Sequence, residues 1–273
     1  MARARDVITL TLHEQLSVPL EAETLSPDVM AGLANAEIRA LPVFLGKRQC
    51  RVDDFFTAEG DRSDELDIRG DAGRVKWIGR GMSRGRITIH GSAGMHLGAH
   101  MKGGVIDVSG DASDWVGAEM SGGLIHVRGN AGGQAGAAYR GSPSGMTDGT
   151  IVVGGSAGLE VGMRMKRGTI VVGKPVRDFA GLQMKGGTIV LCDGAELRTG
   201  AWMNRGTIVS LRPVRLLPTF GYACTYTPIF LSVLARYLAT LGVDIPFQGP
   251  FRRYVGDTAV PGKGEILVWS GAA

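Results

Sequence analysis

Between Asp71 and Arg212 apolar and polar residues alternate in short bursts that return at a fixed interval. Ser92–Gly110 (SAGMHLGAHMKGGVIDVSG), Asp111–Gly129 (DASDWVGAEMSGGLIHVRG), Ser156–Lys174, Pro175–Asp193 and Gly194–Arg212 share one frame of 19 residues. Asp71–Gly91 is the same unit with two residues added, and Asn130–Gly155 the same unit with a seven-residue insertion inside Tyr139–Gly149. Each of these seven units ends in a tetrapeptide (RITI, VIDV, LIHV, TIVV, TIVV, TIVL, TIVS) whose second and, except in the last, fourth residues are apolar. A pleated strand with one buried face requires that alternation, so Ile87/Ile89, Ile106/Val108, Ile125/Val127, Ile151/Val153, Ile170/Val172 and Ile189/Leu191 are expected to share one interior.

Two glycine columns, one at Gly98, Gly117, Gly136, Gly162, Gly181 and Gly200 and the other at Gly104, Gly123, Gly149, Gly168, Gly187 and Gly206, mark corners. Glycine weakens a regular strand but takes positive φ without strain. Strand and corner at a constant period predict an all-β chain, a right-handed parallel β-helix of about seven coils. At a strand spacing of ~4.8 Å the rod would be about 34 Å long. A third column, Met82, Met101, Met120, Met165, Met184 and Met203, with Tyr139 in its place in the inserted coil, reads as a core stack of adaptable side chains. It does not read as a thioether metal ladder, because no cysteine or histidine recurs beside it.

Ahead of the repeat, Val7–His13 alternates as a strand, Ser26-Pro27 reads as the N-cap and first residue of a short helix to about Ala34, and Glu37–Arg39, Pro42–Leu45 and Cys50–Val52 read as strand pieces. Residues 1–70 are expected to cap the first coil, since an open end is an unpaired sheet edge. Residues 71–212 are the coils and 213–273 a helix and tail, all one continuous domain. The tail helix, Pro228–Leu241, opens at Thr227-Pro228, ends at Gly242 and is apolar on almost every side. Such a helix is expected to be buried on two sides, by the rod and by another subunit. The outward strand positions change from Thr88, Asp107 and His126 to Val152, Val171, Val190 and Val209, so the later part of the rod must be covered by the chain itself or by a partner. Glu265–Trp269 is a last strand able to pair back onto the rod.

Thirty basic against 26 acidic side chains give a net charge of +4, too mild for a nucleic-acid binder, and no nucleic-acid module is present. Cys50, Cys192 and Cys224 lie far apart, which excludes iron–sulfur and zinc-finger spacings and points to a reducing, cytoplasmic setting. Met1–Asp6 leads into Val7–Leu12, too short and polar for a signal-peptide core, and the apolar run of the tail helix, interrupted by Ser232, Arg236, Tyr237 and Thr240, is too short to span a bilayer.

Catalysis needs convergent groups of tuned acidity. The nearest carboxylates, Asp107, Asp111, Asp114 and Glu119, read as solvated corner residues. His90, His96, His100 and His126 fall in three successive coils, but the frame sends His100 and His126 outward on different sides and leaves His90 at a corner, so neither a metal site nor a catalytic residue is assigned. Arg84, Lys102, Lys166, Arg167, Lys185 and Arg205, all just before the corner glycine, are expected to align along one edge.

The coil G-x-x-x-G-x-x-M-K-G-G-x-I-x-V-x-G, followed by a proline-containing link, an apolar helix and Phe251-Arg252-Arg253-Tyr254-Val255-Gly256-Asp257, resembles the C-subunit of formylmethanofuran dehydrogenase and its counterpart in the bacterial formyltransferase/hydrolase complex. The coils are also similar to the C-terminal domain of the large glutamate synthase subunit, though the tail helix argues against that placement. The resemblance implies a non-catalytic scaffold in tetrahydromethanopterin-dependent one-carbon oxidation, formaldehyde to formate. It implies partner chains of amidohydrolase-like, formyltransferase and molybdenum- or tungsten-pterin type. It also implies a methanofuran-type formyl carrier whose acidic glutamate chain the six cations would hold. A subunit of the molybdenum/tungsten dehydrogenase and an autonomous β-helix enzyme acting on acidic polysaccharide are the alternatives.

Overall fold

The computed structural model describes residues 7–13 and 15–271; the run Met1–Asp6 lies outside the described residues. The N-terminal segment holds β1 (Ile8–Leu12), β2 (Leu20–Glu21), β3 (Pro42–Leu45), β4 (Arg48–Arg51), β5 (Phe56–Glu59), β6 (Glu65–Arg69) and β7 (Val75–Lys76), with helices α1 (Pro27–Met30) and α2 (Asn35–Arg39). The periodic region supplies β8 (Arg86–Ile89), β9 (Lys102–Val108), β10 (Ser121–Val127), β11 (Asp148–Val153), β12 (Thr169–Val172), β13 (Lys185–Leu191) and β14 (Arg205–Ser210). The tail adds β15 (Gly221–Tyr226), α3 (Ile229–Thr240), β16 (Phe251–Gly256) and β17 (Gly264–Trp269). Thirteen strands form one sheet in the order β15-β16-β17-β14-β13-β12-β11-β10-β9-β8-β6-β1-β5, and β4-β3-β2-β7 form a small second sheet.

From β6 through β14 every neighbour in the large sheet is parallel. A second line of parallel bridges runs Ala72, Ala93, Ala112, Ala131, Ala157, Val176, Ala195, one per repeat unit. A chain that meets its previous turn on two separate sides is winding, and a mostly parallel, all-β architecture of the β-helix kind accounts for both sets of contacts.

The register explains why the repeat is strict. Ile87, Ile106, Ile125, Ile151, Ile170, Ile189, Ile208 and Ile266 face one another across successive strands, and each is wholly buried. Burying each such side chain contributes roughly 1.5–3 kcal/mol, and a one-residue slip would turn all of them outward. The last member comes from β17, which pairs parallel to β14 and so continues the ladder as the sequence pattern predicts.

Methionine and glycine columns interlock. A Cβ on Gly123 would lie 2.7 Å from the methyl of Met101, and one on Gly168 2.7 Å from that of Met146. The corner carries no side chain because the previous turn's methionine occupies that space. Met146, not Tyr139, fills the stack in the inserted unit: it is fully buried, while Tyr139 is only half-buried and turns to the surface. The insertion re-enters the frame at its far end, where Met146 regains the position just ahead of the corner.

Three sequence expectations are corrected in the flanks. Glu37–Arg39 is the end of α2 rather than a strand, because the Glu37 carboxylate accepts the Ala34 backbone N–H at 2.8 Å and Asn35 donates to the carbonyls of Ala58 and Gly60. Ser26 precedes α1 but makes no side-chain cap, and α1 ends at Met30. Pro228, not Thr227, occupies the N-cap position of the tail helix.

The covering of the valines is intramolecular. Val171, Val190 and Val209 form a second apolar cluster with Leu231 and Leu238 of α3, Ile245, Phe251 and Leu267, and Tyr237 reaches Thr150 at 2.7 Å between hydroxyl oxygens. Within the chain α3 is buried on that side only; Ile229 is 83% and Val233 64% exposed on the other. Truncating a wholly buried methionine leaves a cavity, so Met146→Ala is expected to destabilise the protein by about 2–5 kcal/mol, as Met120→Ala should, in equilibrium urea unfolding. A loss below that range at Met146 alone would return the stack position to Tyr139.

Candidate functional site

Winding turns equal frame positions into surface columns. The residue after each buried methionine donates its N–H to the methionine carbonyl of the previous turn: Lys102 to Met82, Ser121 to Met101, Thr147 to Met120, Lys166 to Met146, Lys185 to Met165 and Asn204 to Met184. Lys263, just ahead of β17, donates instead to the Asn204 carbonyl, one residue past Met203, and the pairing of Thr207 with Glu265 sets it beside Arg205. Arg84, Arg167 and Arg205 stand one residue further on, so the six expected cations occupy two adjacent columns, not one.

The row is also interrupted. Ser121-Gly122 and Thr147-Asp148 replace cations in the middle turns, leaving Arg84 with Lys102 near one end and Lys166, Arg167, Lys185 and Arg205, joined by Lys263, near the other. All seven are exposed. Glycine fills the second column beside Lys102 and Lys185 because a Cβ on Gly103, Gly122 or Gly186 would sit 2.3–2.4 Å from a backbone carbonyl of the previous turn.

Beside the larger group lies a depression of about 470 Å³ lined by Pro143, Arg164, Gln183, Lys185, Trp202, Asn204 and Val260. Arg164 donates from Nε to Gln183 at 2.7 Å and from Nη1 to the Ser142 carbonyl at 3.0 Å, Lys185 Nζ donates to the Pro143 carbonyl, and the Trp202 backbone N–H is held by the buried Asp257 carboxylate at 2.9 Å. The insertion thus pins two cations, and the tail supplies the opposite wall. Among the described residues no carboxylate lines the depression. Its polar side chains offer mainly donors around a half-exposed indole, a set suited to an anionic chain or a planar group bearing carboxylates.

The expected carboxylates do not converge. Asp107 pairs with Arg86, Asp111 accepts the Asn130 N–H at 2.7 Å, Asp114 that of Gly133 at 2.7 Å, and Glu119 that of Tyr139 at 2.9 Å. Each binds the chain of its own or a neighbouring turn. Among the described residues no group of three histidines, cysteines or carboxylates is placed to hold a metal ion. His90 lies 3.1 Å from Asp67 and His126 3.9 Å from Asp107. His96 belongs to an aromatic ladder: its ring stacks on Trp77 at 4.0 Å, and the hydroxyl of Tyr139, itself stacked on Trp115 at 4.8 Å, is hydrogen-bonded to His96 Nδ1 at 2.8 Å.

Residues 65–213, more than half of the chain, match the GXGXG motif family. The chain belongs to that family. Among curated proteins it is 43% identical over 91 residues to the C-subunit of the molybdenum-containing formylmethanofuran dehydrogenase 1 of Methanothermobacter thermautotrophicus, and 38% identical over 97 residues to that of the tungsten-containing dehydrogenase 2 of the same organism. Those alignments cover 33–34% of this chain and 23% and 36% of the relatives, so this GXGXG chain spans well under half the length of the curated relatives it matches. The sequence resemblance is narrower than the whole-chain pattern suggested. In structure the likeness is wider: a chain of the formyltransferase/hydrolase complex (FhcABCD) from Methylorubrum extorquens, solved in complex with methylofuran, superposes with a TM-score of 0.89 at 34% identity, covering 95% of this chain and 98% of that one. The curated relatives are C-subunits of formylmethanofuran dehydrogenases, and the solved neighbour is a chain of a formyltransferase/hydrolase complex.

Sequence reading missed Arg164, Trp202 and Lys263. For Lys263 a signal exists: Lys263-Gly264 followed by the strand Glu265–Trp269 repeats the cation-glycine-strand order of Arg167-Gly168 and Arg205-Gly206. For the other two no chemistry-bearing motif marks them out.

Burial, with the Lys76 charge as a lesser cause, pushes His96 from 6.5 down to about 4. The folded protein therefore keeps the imidazole neutral in a range where the unfolded chain takes up a proton. Stability contributed by His96 is fully present above pH 6.5 and is lost as pH falls from 6.5 towards 4. His96→Phe keeps a ring on Trp77 but cannot protonate, so it should show a shallower loss in that window in urea unfolding at several pH values. Parallel loss in both proteins would assign the slope to other groups, His126 among them, which burial also lowers.

Proposed function

We propose that this chain is the non-catalytic scaffold, the C-subunit, of a formyltransferase/hydrolase complex acting in tetrahydromethanopterin-dependent one-carbon metabolism. The single observation that carries the reading is the full-length structural likeness to a chain of such a complex, 0.89 over 95% and 98% of the two chains. On this reading the chain is a seven-coil right-handed β-helix capped by residues 1–70, with coils at 71–212 and a covering tail at 213–273, in a cytoplasmic assembly with amidohydrolase-like, formyltransferase and pterin-subunit-like chains. Among the described residues no helix is long and apolar enough to cross a membrane. The second reading, the C-subunit of a molybdenum or tungsten formylmethanofuran dehydrogenase, is favoured by the identities of 43% over 91 and 38% over 97 residues. Purifying the tagged chain with its partners separates the two. Formyl transfer and hydrolysis without molybdenum or tungsten fits the first, stoichiometric metal of either kind fits the second, and turnover by this chain alone sinks both.

The neighbouring complex was solved with methylofuran. In this chain Lys166, Arg167, Lys185, Arg205 and Lys263, with the donor-lined depression beside them, would hold the acidic chain of such a formyl carrier, with Arg84 and Lys102 a separate, weaker group. A single surface pair contributes only about 0–1 kcal/mol, so the cations act collectively and are screened by salt. Replacing Lys166, Lys185 and Lys263 together by Gln in the assembled complex should raise the apparent KM for the carrier and flatten its salt dependence, while Lys102→Gln alone should change little. Unchanged kinetics of the triple variant at low ionic strength would leave the row as solubility charges.

A further inference from the structure

Four rings of the early turns meet on one edge of the molecule. Trp77, His96 and Trp115 come from three successive turns, with Trp77 stacked on His96 at 4.0 Å and His96 facing Trp115 at 6.3 Å, their planes 10° and 20° apart. Tyr139, at the start of the insertion, reaches back over them: its ring lies 4.8 Å from Trp115 and 6.3 Å from Trp77, and its hydroxyl 2.8 Å from His96 Nδ1. All four are half-buried, so the cluster keeps a side open to solvent. A buried phenol needs a hydrogen-bond partner, and many acceptors would serve. A neutral imidazole is one that can also keep the phenol's proton. Burial, with the Glu119 charge as a lesser cause, pushes the Tyr139 phenol up, and burial holds His96 neutral near neutrality. With its own proton on Nε2, such an imidazole accepts at Nδ1 and lies within proton-transfer reach of the hydroxyl.

We infer that Trp77, Trp115, Tyr139 and His96 form a one-electron relay, which takes oxidising equivalents from one-electron oxidants in solution and gathers them on Tyr139. An oxidant such as the carbonate radical anion takes an electron from Trp115 and becomes carbonate. The Trp115 radical cation takes an electron from Tyr139, the Tyr139 O–H bond breaks, and its proton forms an N–H bond at His96 Nδ1. A neutral tyrosyl radical is left beside an imidazolium, and neither a phenolate nor a phenol radical cation has to form. An ascorbate-class donor then returns the electron, and His96 returns the proton. Fixed charges give the relay a direction. The Arg80 guanidinium, 5.0 Å over the Trp77 ring, opposes a positive hole there, whereas the Glu119 carboxylate is held against Tyr139 by its backbone N–H at 2.9 Å. Around His96 itself Lys76 and Arg80 oppose an imidazolium and Asp114 favours it. The turns have something to protect, since oxidation turns an apolar thioether polar and disrupts cores packed with methionine. The relay asks nothing of partner chains and stands whichever complex this chain serves.

Flash photolysis of the full chain with a ruthenium(II) polypyridyl and a cobalt(III) ammine as electron acceptor generates a ruthenium(III) oxidant in the sample. The tyrosyl absorption should then appear, and it should form about twofold more slowly in heavy water, because the proton moves with the electron. Tyr139→Phe should remove most of that signal. His96→Phe keeps a ring on Trp77 but cannot take the proton, and should cut the yield at least tenfold. Trp115→Phe should slow formation severalfold. A signal that survives Tyr139→Phe, carried by the exposed Tyr222 or Tyr226, overturns the inference. So does full yield in His96→Phe, or formation at the wild-type rate in Trp115→Phe. Equal rates in light and heavy water overturn it on the unaltered protein, whether or not the variants fold.

Discussion

The interlock between a buried methionine and a bare glycine corner sets the geometry on which the rest of the molecule depends. The methyl of each methionine occupies the place a Cβ would take on the corner glycine of the following turn, and the backbone N–H just after the next methionine closes onto the earlier methionine's carbonyl. One contact fixes spacing and phase together. Turns held in phase put equal frame positions in line, so the surface is assembled from columns, and a single substitution at a corner is felt by two turns at once.

That phase has a cost in backbone conformation. Trp77, His96, Trp115, Gln134, Glu160, Phe179 and Arg198 all adopt φ between 55° and 68°, one per turn. A left-handed conformation costs a non-glycine residue roughly 1–2 kcal/mol. Each of the middle members offsets it with an N–H donated to the next turn, His96 to Asp114, Trp115 to Gly133, Gln134 to Leu159, Glu160 to Asp178 and Phe179 to Leu197. The same bend sets the rings of Trp77, His96 and Trp115 side by side, while a second left-handed column at φ 53–58°, His100, Glu119, Arg164, Gln183 and Trp202, supplies one wall of the depression.

What could be read from the amino-acid pattern was whatever repeats. The isoleucine ladder, the corner glycines, the methionine stack, the tail helix and the returning strand at Glu265–Trp269 all follow from spacing. The failures come where spacing stops being informative. An insertion shows that the frame is broken but not where it resumes, so Tyr139 was expected in the position Met146 holds. The helix at Asn35–Arg39 depends on a side-chain bond from Glu37 to a backbone N–H three residues earlier, a local competition that apolar alternation does not register. The two-column arrangement of the cations depends on whether the methionine is followed by one polar residue or two before the corner. Lys263 joins them only because a distant strand closes the sheet, and Trp202 is exposed where its frame-mates are His100, Glu119 and Gln183.

The returning strand also has a consequence in time. β17 completes the ladder next to β14, but the chain between Ser210 and Gly264 must be made first, and Phe251 and Leu267, which share the valine cluster, emerge later still than the helix that covers it. At ribosomal rates of about 5–20 residues per second, the valines of β12 to β14 spend seconds without their cover on a nascent chain whose earlier turns can already wind. Earlier turns make contacts of short range and later ones do not, so winding proceeds from one end while closure waits on a non-local step. The order of synthesis thereby makes the valine-bearing end the segment most exposed to premature association, and ties its protection to the last stretch of chain to appear.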